Sequence, residues 1–227
     1  MLFFLWLKIK NNQYCIVFPL NICKQNSAFI SYIIFVMKDI FFLWIQWCGK
    51  WTQAKMFLQN FGDKYEYLEM WQLFRANMSN DNIVWNYCKD IVNSGKLVPH
   101  FVSHGWFNIA LQIAEEKWKN LLIDGFPRSL VQSKFAEDKM EEYGRDFVVV
   151  HFELSKEKAI ERIMGRAKKE WRADDNEASI RTRLEAFENE TLPAIRDLEW
   201  KWKVITINAD QTVDEIFNEI VQKLELK

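Results

Sequence analysis

The sequence predicts an α/β fold, a parallel sheet buried between helices on both faces. Three observations carry this. Short runs dense in apolar residues recur at Asp39–Leu43, Tyr65–Leu68, Asn120–Asp124, Asp146–Phe152 and Lys203–Ile207. Longer amphipathic stretches separate them. The runs are near-continuously apolar rather than alternating, as strands covered on both faces are.

The chain has 227 residues, the size of one medium domain with small insertions. Its net charge is −1 with acids and bases interspersed, so the basic excess of a nucleic-acid binder is missing. Cys15, Cys23, Cys48 and Cys88 are too scattered for a disulfide framework or a metal site. That spacing fits a reducing, cytoplasmic setting. Residues 1–36 are apolar and aromatic but broken by Lys8, Lys10 and Lys24. No run there approaches the ~18 residues of a membrane span, and no small-residue cleavage site follows an apolar stretch. We expect a folded domain over 37–226, entered directly from Met37. Residues 1–36 are then an upstream artefact of the reading frame, a poorly packed tail, or an appended anchor or edge element.

Taken in order, Asp39–Leu43 is the first strand. Thr52 to Phe61 is a helix with Ala54, Phe57 and Leu58 on one face. Tyr65–Leu68 is the second strand. Asn80 to Ser94 reads as a helix, with Gly95 as its left-handed cap. Trp106 to Lys119 is the next helix, and Asn120–Asp124 is a strand ending in an acid. Asp146–Phe152 and Lys203–Ile207 are the remaining strands, and Val213 to Leu226 is the closing helix. His100, His104 and His151 have no carboxylate or cysteine partner in sequence and read as packing or surface residues.

Between the first strand and first helix stands Trp44-Ile-Gln-Trp47-Cys48-Gly49-Lys50-Trp51-Thr52. Gly49-Lys50 with Thr52 is similar to a phosphate-binding loop, in which Lys reaches the terminal phosphates and a hydroxyl the Mg²⁺. The usual GxxxxGK[ST] spacing fails, because Trp occupies positions 44 and 51. A variant, GxxGxGKGT, restores the match with Trp at three glycine positions. The second anchor is Asp124-Gly125-Phe126-Pro127-Arg128 followed by Gln132. With it go Trp71-Gln-Leu-Phe-Arg75, Gly95-Lys-Leu-Val-Pro99, Glu161-Arg162 through Arg166, Arg172-Ala-Asp174-Asp175-Asn176, Arg183-Leu184 and Thr191-Leu-Pro193.

Together these strings resemble the nucleoside monophosphate kinases, adenylate kinases most closely, over roughly 37–226. The resemblance implies a P-loop NTPase-type five-stranded parallel sheet. It also implies two mobile insertions, one over the acceptor nucleotide at about 66–95 and a short lid at about 157–176. The implied reaction is ATP + AMP ⇌ 2 ADP with Mg²⁺, by a monomer in the cytoplasm with no membrane partner. Trp47, Cys48, Gly49, Lys50, Trp51 and Thr52 would wrap the ATP phosphates, with Arg162, Arg166 and Gln211 completing that side. Met70, Trp71, Arg75, Lys96, Leu97, Val98, Gly125, Phe126, Pro127, Arg128, Gln132, Arg172 and Arg183 would receive AMP. Gln132 suits the two-sided hydrogen-bond edge of adenine, although Met70 replaces a usual threonine beside the base. Lys50, Arg128, Arg162, Arg172 and Arg183 would carry the catalysis. Thr52, and Asp124 through water, would hold Mg²⁺. The lid is too short for zinc ligands. The same motifs admit a UMP/CMP kinase.

Eleven tryptophans stand against seven glycines. Trp44, Trp47, Trp51, Trp71 and Trp171 occupy family glycine positions, and Trp85, Trp118 and Trp202 extend the pattern. Returning glycine to those eight positions brings the count to 15 of 227, close to the usual ~7%. One codon read as Trp where the organism reads Gly accounts for the substitution being always of one kind. Read literally, three indoles would fill the donor phosphate site, leaving a non-catalytic nucleotide-binding protein.

Overall fold

The structure, a computed structural model, describes residues 4–9, 12–17, 38–44, 50–78, 81–162 and 177–226. Phe4–Ile9 (β1) and Asn12–Val17 (β2) pair antiparallel as a separate two-stranded ribbon. Asp39–Trp44 (β3), Tyr65–Glu69 (β4), Asn120–Asp124 (β5), Phe147–Glu153 (β6) and Val204–Asn208 (β7) form the main sheet. Its order is β4-β5-β3-β6-β7, with every pair parallel. The strand that leads into the Lys50 loop is therefore the central one.

Successive residues of the central strands point to opposite layers. Phe41 and Leu43 of β3 join Leu121, Ile123, Phe147 and Val149 in one core. Ile40 and Phe42 join Leu122, Val148, Val150 and Phe152 in the other. Lys50–Phe61 (α1) covers the second face through Ala54 and Phe57. Met70–Met78 (α2), Ile83–Asn93 (α3), His100–Glu116 (α4) and Leu130–Glu142 (α5) lie with the first core. Residues 156–162 (α6) are helical up to the edge of the described chain. Glu177–Ala186 (α7) continues through a π-helical turn, Phe187–Thr191, into Leu192–Trp200 (α8). Val213–Lys223 (α9) closes the second face, its start fixed by a reciprocal cap between Thr212 and Glu215.

Helix starts depart from expectation where capping chemistry outweighs periodicity. α3 begins after Asn82, whose side chain accepts the Trp85 N–H. α4 begins at His100, well before Trp106, behind Pro99 with φ −52°. α5 shows weak apolar periodicity. Ser129 caps α5 by accepting the Gln132 N–H.

Five helices, α3, α4, α5, α8 and α9, end alike; in α9 the left-handed residue is Glu225 (φ 53°), and the Glu225 and Leu226 N–H groups turn back onto Gln222 O and Val221 O. α3 and α5 each stop at a left-handed glycine, Gly95 (φ 81°) and Gly144 (φ 64°). At each, the next two N–H groups turn back onto the last helical carbonyls. The same arrangement ends α4 and α8, but with tryptophan in the glycine place, Trp118 (φ 56°) and Trp202 (φ 57°). Trp118 N–H donates to Glu115 O at 3.1 Å and Lys119 N–H to Ala114 O at 2.9 Å. Trp202 N–H donates to Glu199 O and Lys203 N–H to Leu198 O, both at 3.0 Å. These indoles are 76% and 95% exposed, so burial does not repay the strained backbone. Trp85 differs: it is helical and buried against Phe74 and Trp106, and its backbone does not require glycine.

At the amino edge of the sheet Asp39 is buried and gripped by Arg145. Nε donates to Oδ2 and Nη2 to Oδ1, both at 2.7 Å. Nη2 also donates to Lys119 O at 2.8 Å, and Nη1 pairs with Glu115. This clasp ties β3, the α4–β5 turn and the start of β6 at the end remote from the site.

Candidate functional site

The carboxyl ends of β3, β4 and β5 converge on one edge, where parallel α/β sheets bind ligands. Beyond β5 the chain must turn sharply at Gly125, with φ 86°. A Cβ there would also come within 3.1 Å of Arg128 Nη2, so the residue answers two demands at once. The following Phe126–Pro127 peptide is cis.

Arg128 is held on three sides. Its Nε donates to Gly125 O at 3.0 Å and its backbone N–H to Gln132 Oε1 at 2.7 Å. Its carbonyl accepts the Thr191 hydroxyl at 3.0 Å. Gln132 is buried and donates through Nε2 to Ser103 Oγ at 3.1 Å. Arg183, on α7, is 3% exposed, and its guanidinium carbon lies 5.3 Å from the centre of the Trp71 ring.

These groups line two adjoining clefts. One, of about 490 Å³, is bounded by Met70, Trp71, Phe74, Val98, Ser103 and Gln132, with Gly95 and Lys96 at its mouth. The other, of about 320 Å³, reaches Leu43, Phe187 and Thr191. Leu97, Gly125, Arg128 and Arg183 belong to both. Desolvation pulls the Arg128 guanidinium below its ordinary value; the Asp124 carboxylate opposes this and the Arg183 charge adds to it. Two guanidiniums this close in a desolvated cleft favour an anion between them. Asp124 is buried at the end of β5, and burial followed by the Asp124 and Glu69 carboxylates pushes the Tyr67 hydroxyl up.

On the donor side, Lys50 is the first residue of α1, and Thr52 stands exposed in its first turn. Trp51 is 60% exposed, with Lys55 Nζ 5.1 Å from its ring centre. A helix amino terminus here offers N–H groups and a favourable dipole to a phosphate. Arg162 Nη2 lies 3.9 Å from Asp210 Oδ1, and Asp210 also pairs with Lys158. Gln211 donates to Asn208 O at 3.0 Å and to Glu219 Oε2 at 2.7 Å. The Thr52 hydroxyl and Asp124 carboxylate are hard oxygen donors, the type that suits Mg²⁺. Arg75 lies in α2, and Phe126 and Pro127 are buried behind Arg128. Trp47, Cys48, Gly49, Arg166 and Arg172 lie outside the described residues, as does most of the expected lid.

The structure thus brings together Met70, Trp71, Lys96, Leu97, Val98, Gly125, Arg128, Gln132 and Arg183. Ser103 and Thr191, which fix Gln132 and Arg128, escaped the sequence reading of roles. The Thr191-Leu-Pro193 string was a signal for Thr191, an ambiguous one because a hydroxyl ahead of a proline also serves simply as a turn, and Ser103 had none. Among the described residues no helix is long and apolar enough to cross a membrane.

Comparison with known proteins agrees with this geometry. The family described as "Adenylate kinase" matches residues 46–201. An adenylate kinase of Corynebacterium glutamicum (strain R) is 34% identical over 170 residues, covering 74% of this chain and 88% of that protein. Adenylate kinase isoenzyme 1 of Caenorhabditis elegans is 33% identical over 178 residues, 78% of this chain and 82% of its own. The isoenzyme 1 of Sus scrofa is 29% identical over 177 residues, with 78% and 89% covered.

Proposed function

Because the chain belongs to the adenylate kinase family, we propose that it moves the terminal phosphoryl group of ATP onto AMP, and back, giving two ADP. One phosphorus–oxygen bond, to the departing ADP, breaks as another forms to an oxygen of the AMP phosphate. The protein makes no covalent bond. It aligns the two nucleotides, excludes water and places positive charge around the migrating group.

The observation that carries the residue assignment is the Arg128–Arg183 pair shared by the two adjoining clefts. Arg128, locked by Gly125, Gln132 and Thr191, grips the acceptor phosphate. Arg183 stands where the transferring phosphoryl passes. Gln132, whose amide already spans Arg128 N–H and Ser103 Oγ, turns its remaining hydrogen-bonding capacity to adenine. Lys50 neutralises the donor phosphates from the start of α1, and Arg162, Arg166 and Arg172 close over them. Thr52, and Asp124 through water, would hold Mg²⁺, which would neutralise charge on the ATP phosphates. The scattered cysteines support a disulfide-free protein of a reducing, cytoplasmic setting.

The donor loop needs bare main chain, since each bulky residue at positive φ costs about 1–3 kcal/mol and indoles would fill the anion site. Glycine in the native protein at 44, 47 and 51 answers that need, and we assign the same origin to the tryptophans at 71 and 171. The left-handed backbone at Trp118 and Trp202 supports the same origin for all. A coupled assay with AMP, UMP and CMP tests both points, on the chain as written and with glycine at those five positions. We expect AMP turnover from the glycine chain and little from the other. Preference for UMP or CMP defeats the adenylate assignment. Brisk AMP turnover by the tryptophan chain defeats the account of the loop.

A further inference from the structure

Trp71 also stands at a family glycine position, and it lies in the acceptor cleft itself. It opens α2 just past the carboxyl end of β4 and is half-buried there. Its indole shares the cleft wall with Met70, Phe74, Gln132 and Arg128. Phe74 meets the ring nearly edge-on at 6.3 Å between centres. The Arg183 guanidinium carbon stands 5.3 Å from the ring centre, inside the ~6 Å reach of a cation–π contact. The two partners come from different parts of the chain: Trp71 from the expected acceptor-side insertion, Arg183 from the helix beyond the lid. Both face the same cleft, so the ring takes space beside the guanidinium that glycine would leave open.

We propose that in the chain as written, with tryptophan at 71, the indole competes with the acceptor nucleotide for Arg183 and for the cleft, so that a monophosphate must part the ring from the guanidinium in order to bind. This rests on the reading of the cleft as the AMP site. Only binding energy left after that displacement appears as affinity. A desolvated cation–π contact corresponds to a factor of about 2 to 30 in a binding constant. The indole at 71 therefore acts at the acceptor cleft, separately from the loop tryptophans, which act on the donor.

The test is calorimetric titration of AMP, without ATP, into the full chain and its Trp71→Gly and Trp71→Leu forms. Leucine keeps apolar packing on Phe74 but offers no π face, and it carries the test if the glycine form folds poorly. The AMP Kd should fall by about 2- to 30-fold in both forms. An unchanged or raised Kd overturns the proposal and makes Trp71 a platform for Arg183 instead. A fall with glycine only, leucine matching tryptophan, shows bulk rather than competition for Arg183 and also overturns it. If AMP binds none of the three chains while UMP or CMP binds, the adenylate reading has failed, and the proposal goes with it. If AMP binds all three equally, the proposal alone has failed.

Discussion

Replacing Trp118 and Trp202 by glycine should stabilise the fold, although each change removes the largest side chain. Both residues sit in the left-handed region, at φ 56° and 57°. A residue with a Cβ pays about 1–2 kcal/mol there. Glycine gives back about 0.4–1 kcal/mol through the greater freedom of the unfolded chain. Exposures of 76% and 95% leave little buried area to lose. The net gain is about 1 kcal/mol per site, and the sites end different helices, so the double variant should gain about 2 kcal/mol. In a chain of this size that raises Tm by roughly 4–8 °C. Urea unfolding followed by far-UV circular dichroism measures it, as a raised midpoint at unchanged slope. Trp200 is the control. It is 86% exposed but helical, in the last residue of α8. Trp200→Gly should therefore lose up to about 1 kcal/mol. If Trp118→Gly and Trp202→Gly lower the midpoint as Trp200→Gly does, the backbone argument is wrong.

Two further outcomes follow from the core. Arg145→Met strands the carboxylate of Asp39, which is 1% exposed; we expect a loss of about 3–5 kcal/mol in urea unfolding. For His151, burial holds the imidazole below its ordinary 6.5, with Glu153 opposing. Its folded pKa is depressed, so the unfolded chain takes up the proton first as pH falls, and stability declines from about pH 6.5 downward. The urea midpoint of His151→Leu should fall less between pH 7 and 5 than that of the parent chain. Equal slopes would remove His151 from the account.

The strands were legible because a parallel strand covered on both faces needs apolar residues at every position. Ile40 through Leu43 and Phe147 through Val150 meet that demand without interruption. Gly95 was legible as a cap because a left-handed helix end asks for one residue type. The Arg145–Asp39 clasp was not legible, since the partners are 106 positions apart and an isolated arginine reads as surface charge. α5 was missed because its buried face is narrow, with only Ala136 and Met140 as buried apolar positions. Within the site, the conspicuous string around Gly125 and Arg128 announced itself. Ser103 and Thr191, which hold it in shape, carry no spacing that separates them from ordinary helix and turn hydroxyls. The stack of Trp71 on Arg183 joins distant segments, so no local pattern could have signalled it.

The tryptophans link two independent physical demands. At the ends of α4 and α8 the requirement is conformational: a left-handed turn that closes two hydrogen bonds onto the last carbonyls. In the donor loop the requirement is steric access, because a phosphate must approach main-chain N–H groups directly. The demands arise at different places in the chain and are of different kinds, yet the same improbable residue stands at both. Selection for a new packing surface would not choose Trp202, which is 95% exposed. Selection for a closed nucleotide site would not reach the far end of α4. On the reading proposed above, a residue type common to unrelated demands has its cause upstream of folding, in how one codon is read. Glycine is the residue that satisfies both demands together, because it lacks a Cβ and tolerates positive φ.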